Sequence, residues 1–161
     1  MAKTATVVLM CGVPGSGKTS YAKTLERTGY VRLSVDEEMW RLDRALAARF
    51  GTPEYFDFTL AVERQVRSRL VDLMAEGLDV VVDLSFWSRQ RRDEYKAVIT
   101  AHGGAWQLVY LDVPRDELLR RLALRQLDPG PNSAPVGPDY LDKFLAGFEA
   151  PADEGETIIR L

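Results

Sequence analysis

The 161-residue chain has one cysteine, one histidine and one asparagine, and its net charge of -3 shows no surplus of basic residues. A lone Cys11 excludes an internal disulfide and any cysteine-based metal cluster; it reads as a small buried residue, with a reactive thiol as the other reading. The lone His102 falls at an expected helix end and takes no catalytic role. Without a broad basic surface, a nucleic-acid binder that works by charge alone is disfavoured. No apolar run approaches membrane-spanning length, and the opening MAKTA leads into a short strand instead of a signal-peptide core. A cytoplasmic location and no membrane partner are therefore expected. Asn132 lies in a proline-rich stretch, so the Asn-Lys-x-Asp element of a guanine-nucleotide switch is missing. Neither linker nor internal repeat interrupts the chain, and residues 1–161 are expected to form a single domain. The oligomeric state is open.

What is present is GVPGSGKT, Gly12 to Thr19, which fits the phosphate-binding loop pattern in full. Glycines at Gly12, Gly15 and Gly17 let the backbone turn its N–H groups inward around phosphate oxygens. Val13, Pro14, Ser16 and Ser20 complete the expected cradle; Lys18 reaches the β- and γ-phosphates, and Thr19 offers a hydroxyl to Mg2+. The context agrees, because ATVVLM before the loop reads as a buried strand and KTSYAKTLER after it as a helix. ATP and Mg2+ are the expected donor and cofactor.

Along the rest of the chain, strands are expected at Tyr30–Ser34, Asp79–Asp83, Ala105–Asp112 and in the final ETIIRL. Helices are expected over Glu37–Phe50, from Thr52 and Pro53 to Gly77, after Ser88, after Pro114 and around Tyr140–Phe148. Residues 128–138 hold half of the eight prolines and read as a loop. Strands alternating with helices imply parallel pairing, with the loop-bearing strand central. The expected fold is α/β: a three-layer P-loop NTPase fold with a five-stranded parallel sheet, helices on both faces and a short mobile lid at about 125–139. Ligands of such sheets bind at the carboxyl ends of the strands.

Phosphoryl transfer needs a phosphate cradle, Mg2+, a group that orients the nucleophile, and cations on the transferred oxygens. Asp36, just past the second strand, is placed to accept a hydrogen bond from an acceptor hydroxyl; helix capping is its other reading. Asp83 ends a buried strand after three valines and is favoured over Asp112 for the metal shell, because capping explains Asp112. Arg125, with Arg121 one turn earlier, is placed to act as an arginine finger from within the chain, or else as a favourable cation near a helix C-terminus. Arg89, Arg92 and Lys96 share a face expected to be solvated. Trp40 and Trp87 lie near the strand ends, as acceptor-pocket walls or as core.

GVPGSGKT, Asp36, VVVDLSFWSRQRR, YLDVPRDELLRRLALR and FEAPADEGE together resemble the small P-loop kinases related to polynucleotide 5'-hydroxyl kinase. Chloramphenicol phosphotransferase and the zeta toxins are more distant likenesses. The resemblance implies ATP phosphates at Gly12–Thr19, an acceptor-activating base at Asp36, a polar active-site carboxylate at Asp83 and a lid arginine at Arg125. Two departures concern the acceptor. Polynucleotide kinases have an arginine three residues after the base where this chain has Met39, with Arg41 two further on, and residues 128–139 contain no Lys or Arg. The expected acceptor is therefore a hydroxyl on a small molecule; an RNA or DNA 5'-hydroxyl is the alternative, and a non-transferring ATP-binding module the third reading.

Overall fold

The computed structural model describes residues 3–127, 130–131 and 136–161. The strands are β1 (Thr6–Cys11), β2 (Val31–Ser34), β3 (Val80–Asp83), β4 (Ala105–Asp112) and β5 (Glu156–Arg160). The helices are α1 (Lys18–Glu26), α2 (Val35–Leu42), α3 (Arg44–Ala47), α4 (Pro53–Ala75), α5 (Arg89–Ala101), α6 (Arg115–Arg125) and α7 (Pro138–Gly147). All strand pairs are parallel, in the order β2-β3-β1-β4-β5, so the loop-bearing strand is central as its apolar sequence implied. The expectation of a mobile lid falls partly on residues 128, 129 and 132–135, outside the described residues.

The strand period of two sorts β1 between two layers. Val7, Leu9 and Cys11 pack with Leu70, Leu73 and Met74 of α4 and Tyr95 and Ile99 of α5. Val8 and Met10 face the other way, against Ala22 of α1 and Val109 and Leu111 of β4. A third cluster joins Val13 of the phosphate-binding loop to Leu118 and Leu122 of α6 and Leu141 of α7. Register sets the working edge: Ser34, Asp83 and Met10 lie in one row at or next to the carboxyl ends of their strands, beside Val109 of β4.

Two expectations need correction. The single helix foreseen over Glu37–Phe50 is two, because Asp43 closes α2 and its carboxylate accepts a 3.0 Å hydrogen bond from the Leu46 N–H to begin α3. α2 also starts earlier, at Val35, with the Ser34 hydroxyl accepting from the Glu37 N–H at 3.2 Å. Ser34 therefore caps this helix, and Asp36 is a first-turn residue. Second, Arg92 does not join Arg89 on a solvated face; it is wholly buried. The Glu154 carboxylate returns from the tail to accept from Arg92 Nε at 2.8 Å and Nη2 at 3.0 Å. Lys96 donates to the Glu154 carbonyl at 2.9 Å.

The third guanidinium nitrogen, Arg92 Nη1, donates to the Phe86 carbonyl at 2.7 Å. Phe86 has φ 49°, a left-handed conformation that costs a bulky residue of order 1–3 kcal/mol and persists only when its neighbours over-determine it. Here the neighbours are Arg92, the Cys11 thiol, which donates to the same carbonyl at 3.4 Å, and Tyr95, whose ring meets Phe86 edge-to-face at 4.8 Å. Burial pushes the Cys11 thiol up to about 11, so this cysteine behaves as a packed residue and not as a nucleophile.

Removing one member of a buried ion pair strands its partner's charge. Glu154→Ala is expected to destabilise the protein by about 3–5 kcal/mol in urea unfolding, while Arg89→Ala, on the exposed face of α5, the helix that carries Arg92, should shift it by less than about 0.5 kcal/mol.

Candidate active site

The loop leaves β1 at Cys11 and enters α1 at Lys18. Gly17, at φ 97°, precedes the helix without offering a side-chain cap, so the first-turn N–H groups stay open to an anion. A Cβ on Gly12 would stand 2.5 Å from Ser16 Oγ, which explains glycine there. Ser16 is fully buried and its hydroxyl has no hydrogen-bond partner. Ser20 lies exposed on α1, beyond the loop. Lys18 Nζ donates to the Val13 carbonyl at 3.0 Å across the loop.

Thr19 Oγ1 donates to the Asp83 carboxylate at 2.8 Å. The fit to Mg2+ rests on this donor pair: one hydroxyl and one carboxylate, side by side at the helix start, leave the remaining positions to water and phosphate oxygens, as Mg2+ prefers. Among the described residues no group of three or more His, Cys, Asp or Glu could hold a metal by itself. Arg32 on β2 was not foreseen in this role. Its Nη1 lies 3.6 Å from Asp83, and Nη2 donates to Glu37 at 2.6 Å. The available signal was an arginine inside a short strand, where burial demands carboxylate partners. Asp112 stands apart, half-exposed and 3.7 Å from Arg160 on β5.

Asp36, Asp83, Lys18 and Arg125 line one cavity of about 720 Å3. Asp36 is open to the water of the cavity, and protein crowds it on the other sides; among the described residues it has neither a hydrogen bond nor an ion pair. This crowding, with the Asp83 charge nearby, pushes its carboxyl up to about 6 against the pull of Lys18 and Arg125. Burial also raises Asp83, opposed by the Thr19 hydrogen bond and by Lys18 and Arg32. It lowers Lys18 against both aspartates, and lowers Arg125 against Asp36. Among the described residues Arg125 Nε is buried without a partner.

Arg121 behaves differently from Arg125. Its Nη1 donates to the Ser16 carbonyl at 3.2 Å and its Nε to Glu117 at 2.8 Å, so it clasps the loop from outside and does not line the cavity. Trp40 and Trp87 do line it, as does Met39, whereas Arg41 is held on the surface by Glu38. Sequence reasoning also passed over Glu63 of α4, a buried carboxylate bonded by Arg91 and by the Tyr95 hydroxyl at 3.2 Å, with Glu63 and Arg91 both on the cavity wall. Its signal was a carboxylate next to Val62, inside an apolar stripe.

A parallel five-stranded sheet with a phosphate-binding loop after its central strand defines a three-layer P-loop fold of the small-kinase type. By sequence the chain belongs to the AAA_33 family of AAA domains, whose profile matches residues 7–151. It is 36% identical over 81 residues to the UPF0200 protein PAE1629 of Pyrobaculum aerophilum, a match that spans 48% of this chain and 44% of the relative. Among solved structures it is similar to a chain of the Pnkp1/Rnl/Hen1 RNA repair complex, with TM-score 0.72 and 19% identity. That likeness covers 91% of this chain but only 45% of the other. A sugar kinase from Janibacter sp. HTCC2649 is similar at TM-score 0.68 and 22% identity, covering 98% and 85% of the two chains. At these identities the structures establish the fold. Among the described residues no helix is long and apolar enough to cross a membrane.

A carboxyl whose folded pKa lies above its unfolded value binds its proton more tightly in the folded state, so ionising it costs stability as pH rises. Asp36→Asn, which breaks no hydrogen bond, should therefore raise the Tm of the ligand-free protein at about pH 7.5, with the gain shrinking towards about pH 4. An equal gain at both pH values would remove the raised carboxyl from the account.

Proposed function

We propose that this protein is an ATP- and Mg2+-dependent kinase that transfers the γ-phosphoryl group to a hydroxyl of a small-molecule acceptor, acting in the cytoplasm. The observation that carries the reading is the cavity in which Lys18, Asp36, Asp83 and Arg125 meet while touching the loop only at Pro14, Lys18 and Thr19. An acceptor seated there faces the end of the loop that presents the terminal phosphate.

In this reading the N–H groups of Gly12–Thr19 and the Lys18 ammonium hold the phosphates, and Arg121 keeps the loop in shape. Thr19 and Asp83 are the residues that would hold Mg2+, which would supply positive charge against the phosphate oxygens. Asp36 accepts the proton of the acceptor hydroxyl as the new O–P bond forms and the bond between the γ-phosphorus and the bridging oxygen breaks, leaving ADP. Its raised pKa keeps it basic enough to take a proton near neutrality. Arg125, without a partner at Nε, is the cation for charge that develops on the transferred group. Similarity to an RNA repair chain supports a second reading, an RNA or DNA 5'-hydroxyl acceptor. The absence of Lys and Arg from residues 128–139 weighs against it, since nothing there would neutralise a polynucleotide backbone.

Incubation with labelled ATP, Mg2+ and parallel panels of small alcohols and 5'-hydroxyl oligonucleotides tests the assignment; label on oligonucleotides alone would select the second reading. Asp36→Asn should abolish transfer while ATP still binds, and unchanged nucleotide turnover in that variant would leave only an ATP-binding module. Arg125→Ala should lower kcat by roughly 10³-fold with ATP affinity nearly unchanged, and Lys18→Ala should cost at least roughly 10²-fold.

A further inference from the structure

The walls of the cavity carry information about the acceptor that the catalytic groups do not. Beyond the phosphate end the lining is aromatic: Trp40 from α2, Tyr55 from α4, Phe86 and Trp87 after β3, and Tyr140 and Phe144 from α7. Around the opening, Phe56, Leu60 and Trp87 are each about half exposed, at 50%, 47% and 47%. Such surface is costly to leave in water and suits an apolar ligand. The volume, about 720 Å3, falls within the roughly 300–1,000 Å3 typical of small-molecule sites.

The polar inventory is short and mostly committed. Of the cations on the described lining, Lys18 and Arg125 belong to the phosphate end, and Arg91 is bonded to Glu63. Lys143 is exposed. No pair of free cations stands beside Asp36 to hold a phosphate or carboxylate of the acceptor. The Thr59 hydroxyl donates to the Tyr55 carbonyl at 2.8 Å. Among the described residues, what remains for acceptor hydroxyls is Asp36, Ser85, the Tyr55 and Tyr140 hydroxyls and the indole N–H groups of Trp40 and Trp87. A polyol brings four or more hydroxyls, each needing a partner once buried, and it has little apolar surface to set against these rings.

We propose that the acceptor is an alcohol with one or two hydroxyls on a largely apolar, aromatic body, without phosphate or carboxylate, held by the aromatic walls with its reacting hydroxyl at Asp36. The inference rests on the kinase reading for the role of Asp36, and on the walls alone for the class of body.

Calorimetric binding separates the two. The intact protein, with Mg2+ and a non-hydrolysable ATP analogue, is titrated with 4-biphenylmethanol, glucose, gluconate and the 5'-hydroxyl dinucleotide UpU. The biphenyl alcohol should bind at least about tenfold more tightly than the other three. Trp87→Ser and Leu60→Gln alter exposed side chains, so they should leave Tm unchanged and weaken that binding at least about fivefold each. Tighter binding of glucose, gluconate or UpU overturns the proposal, as does biphenyl binding indifferent to both variants. Biphenyl binding with no transfer of labelled phosphate upholds the aromatic site and sinks the kinase reading. Transfer to gluconate or UpU does the reverse.

Discussion

Parallel pairing of β3 between β1 and β2 is the constraint on which the site depends. Because the three strands run in register, Ser34, Asp83 and Met10 end in one row. Each strand then continues into a different part of the site: β1 into the phosphate-binding loop, β2 into the helix turn that carries Asp36, and β3 into the wall at Leu84–Trp87. A one-residue slip of β3 would turn Asp83 to the opposite face and lose the 2.8 Å bond from Thr19. Backbone hydrogen bonds in a buried sheet thus hold side chains that lie far apart in the chain to within hydrogen-bonding distance.

The charges brought together are incompletely compensated. Asp36, Asp83, Lys18 and Arg125 meet at one end of the cavity, and burial acts against the charged form of all four. Asp83 has Thr19 and Arg32, but among the described residues Asp36 has no bonded partner, Arg125 Nε has none, and Lys18 turns to a loop carbonyl. Perturbed groups gathered in a cavity are a mark of functional sites. A phosphate chain is an anion of the kind that would complete the pairing of Lys18 and Arg125 and relieve the desolvation that both now bear.

Behind the wall stands a second device. Glu154, itself tied by Lys96, holds Arg92 under the carbonyl of Phe86, and that clasp maintains a left-handed aromatic residue where the chain must bend to bring Trp87 to the opening. Glu149 adds a tie from the α7 side, its N–H donating to the Trp87 carbonyl at 2.8 Å. The tail segment FEAPADEGE therefore acts as a brace for the wall formed after β3.

Local signals determined much of this protein. The glycine spacing of GVPGSGKT specified a loop between strand and helix, and apolar runs ending in carboxylates specified buried parallel strands whose ends define the site. These properties reside in short windows, where backbone conformation and periodicity decide the outcome. Tertiary structure decided what depends on distant partners. Arg92 shares a helical spacing with the exposed Arg89, and the carboxylate of Glu154, 62 residues away, makes its burial tolerable. Arg121 and Arg125 are alike in sequence, yet four residues advance a helix by about 6 Å and about 40° beyond a full turn, enough to send one to the loop and the other to the cavity. The cavity is the extreme case: its walls come from α2, α4, α7 and the segment after β3, so no window of sequence contains it, and only packing brings those aromatic rings around Asp36.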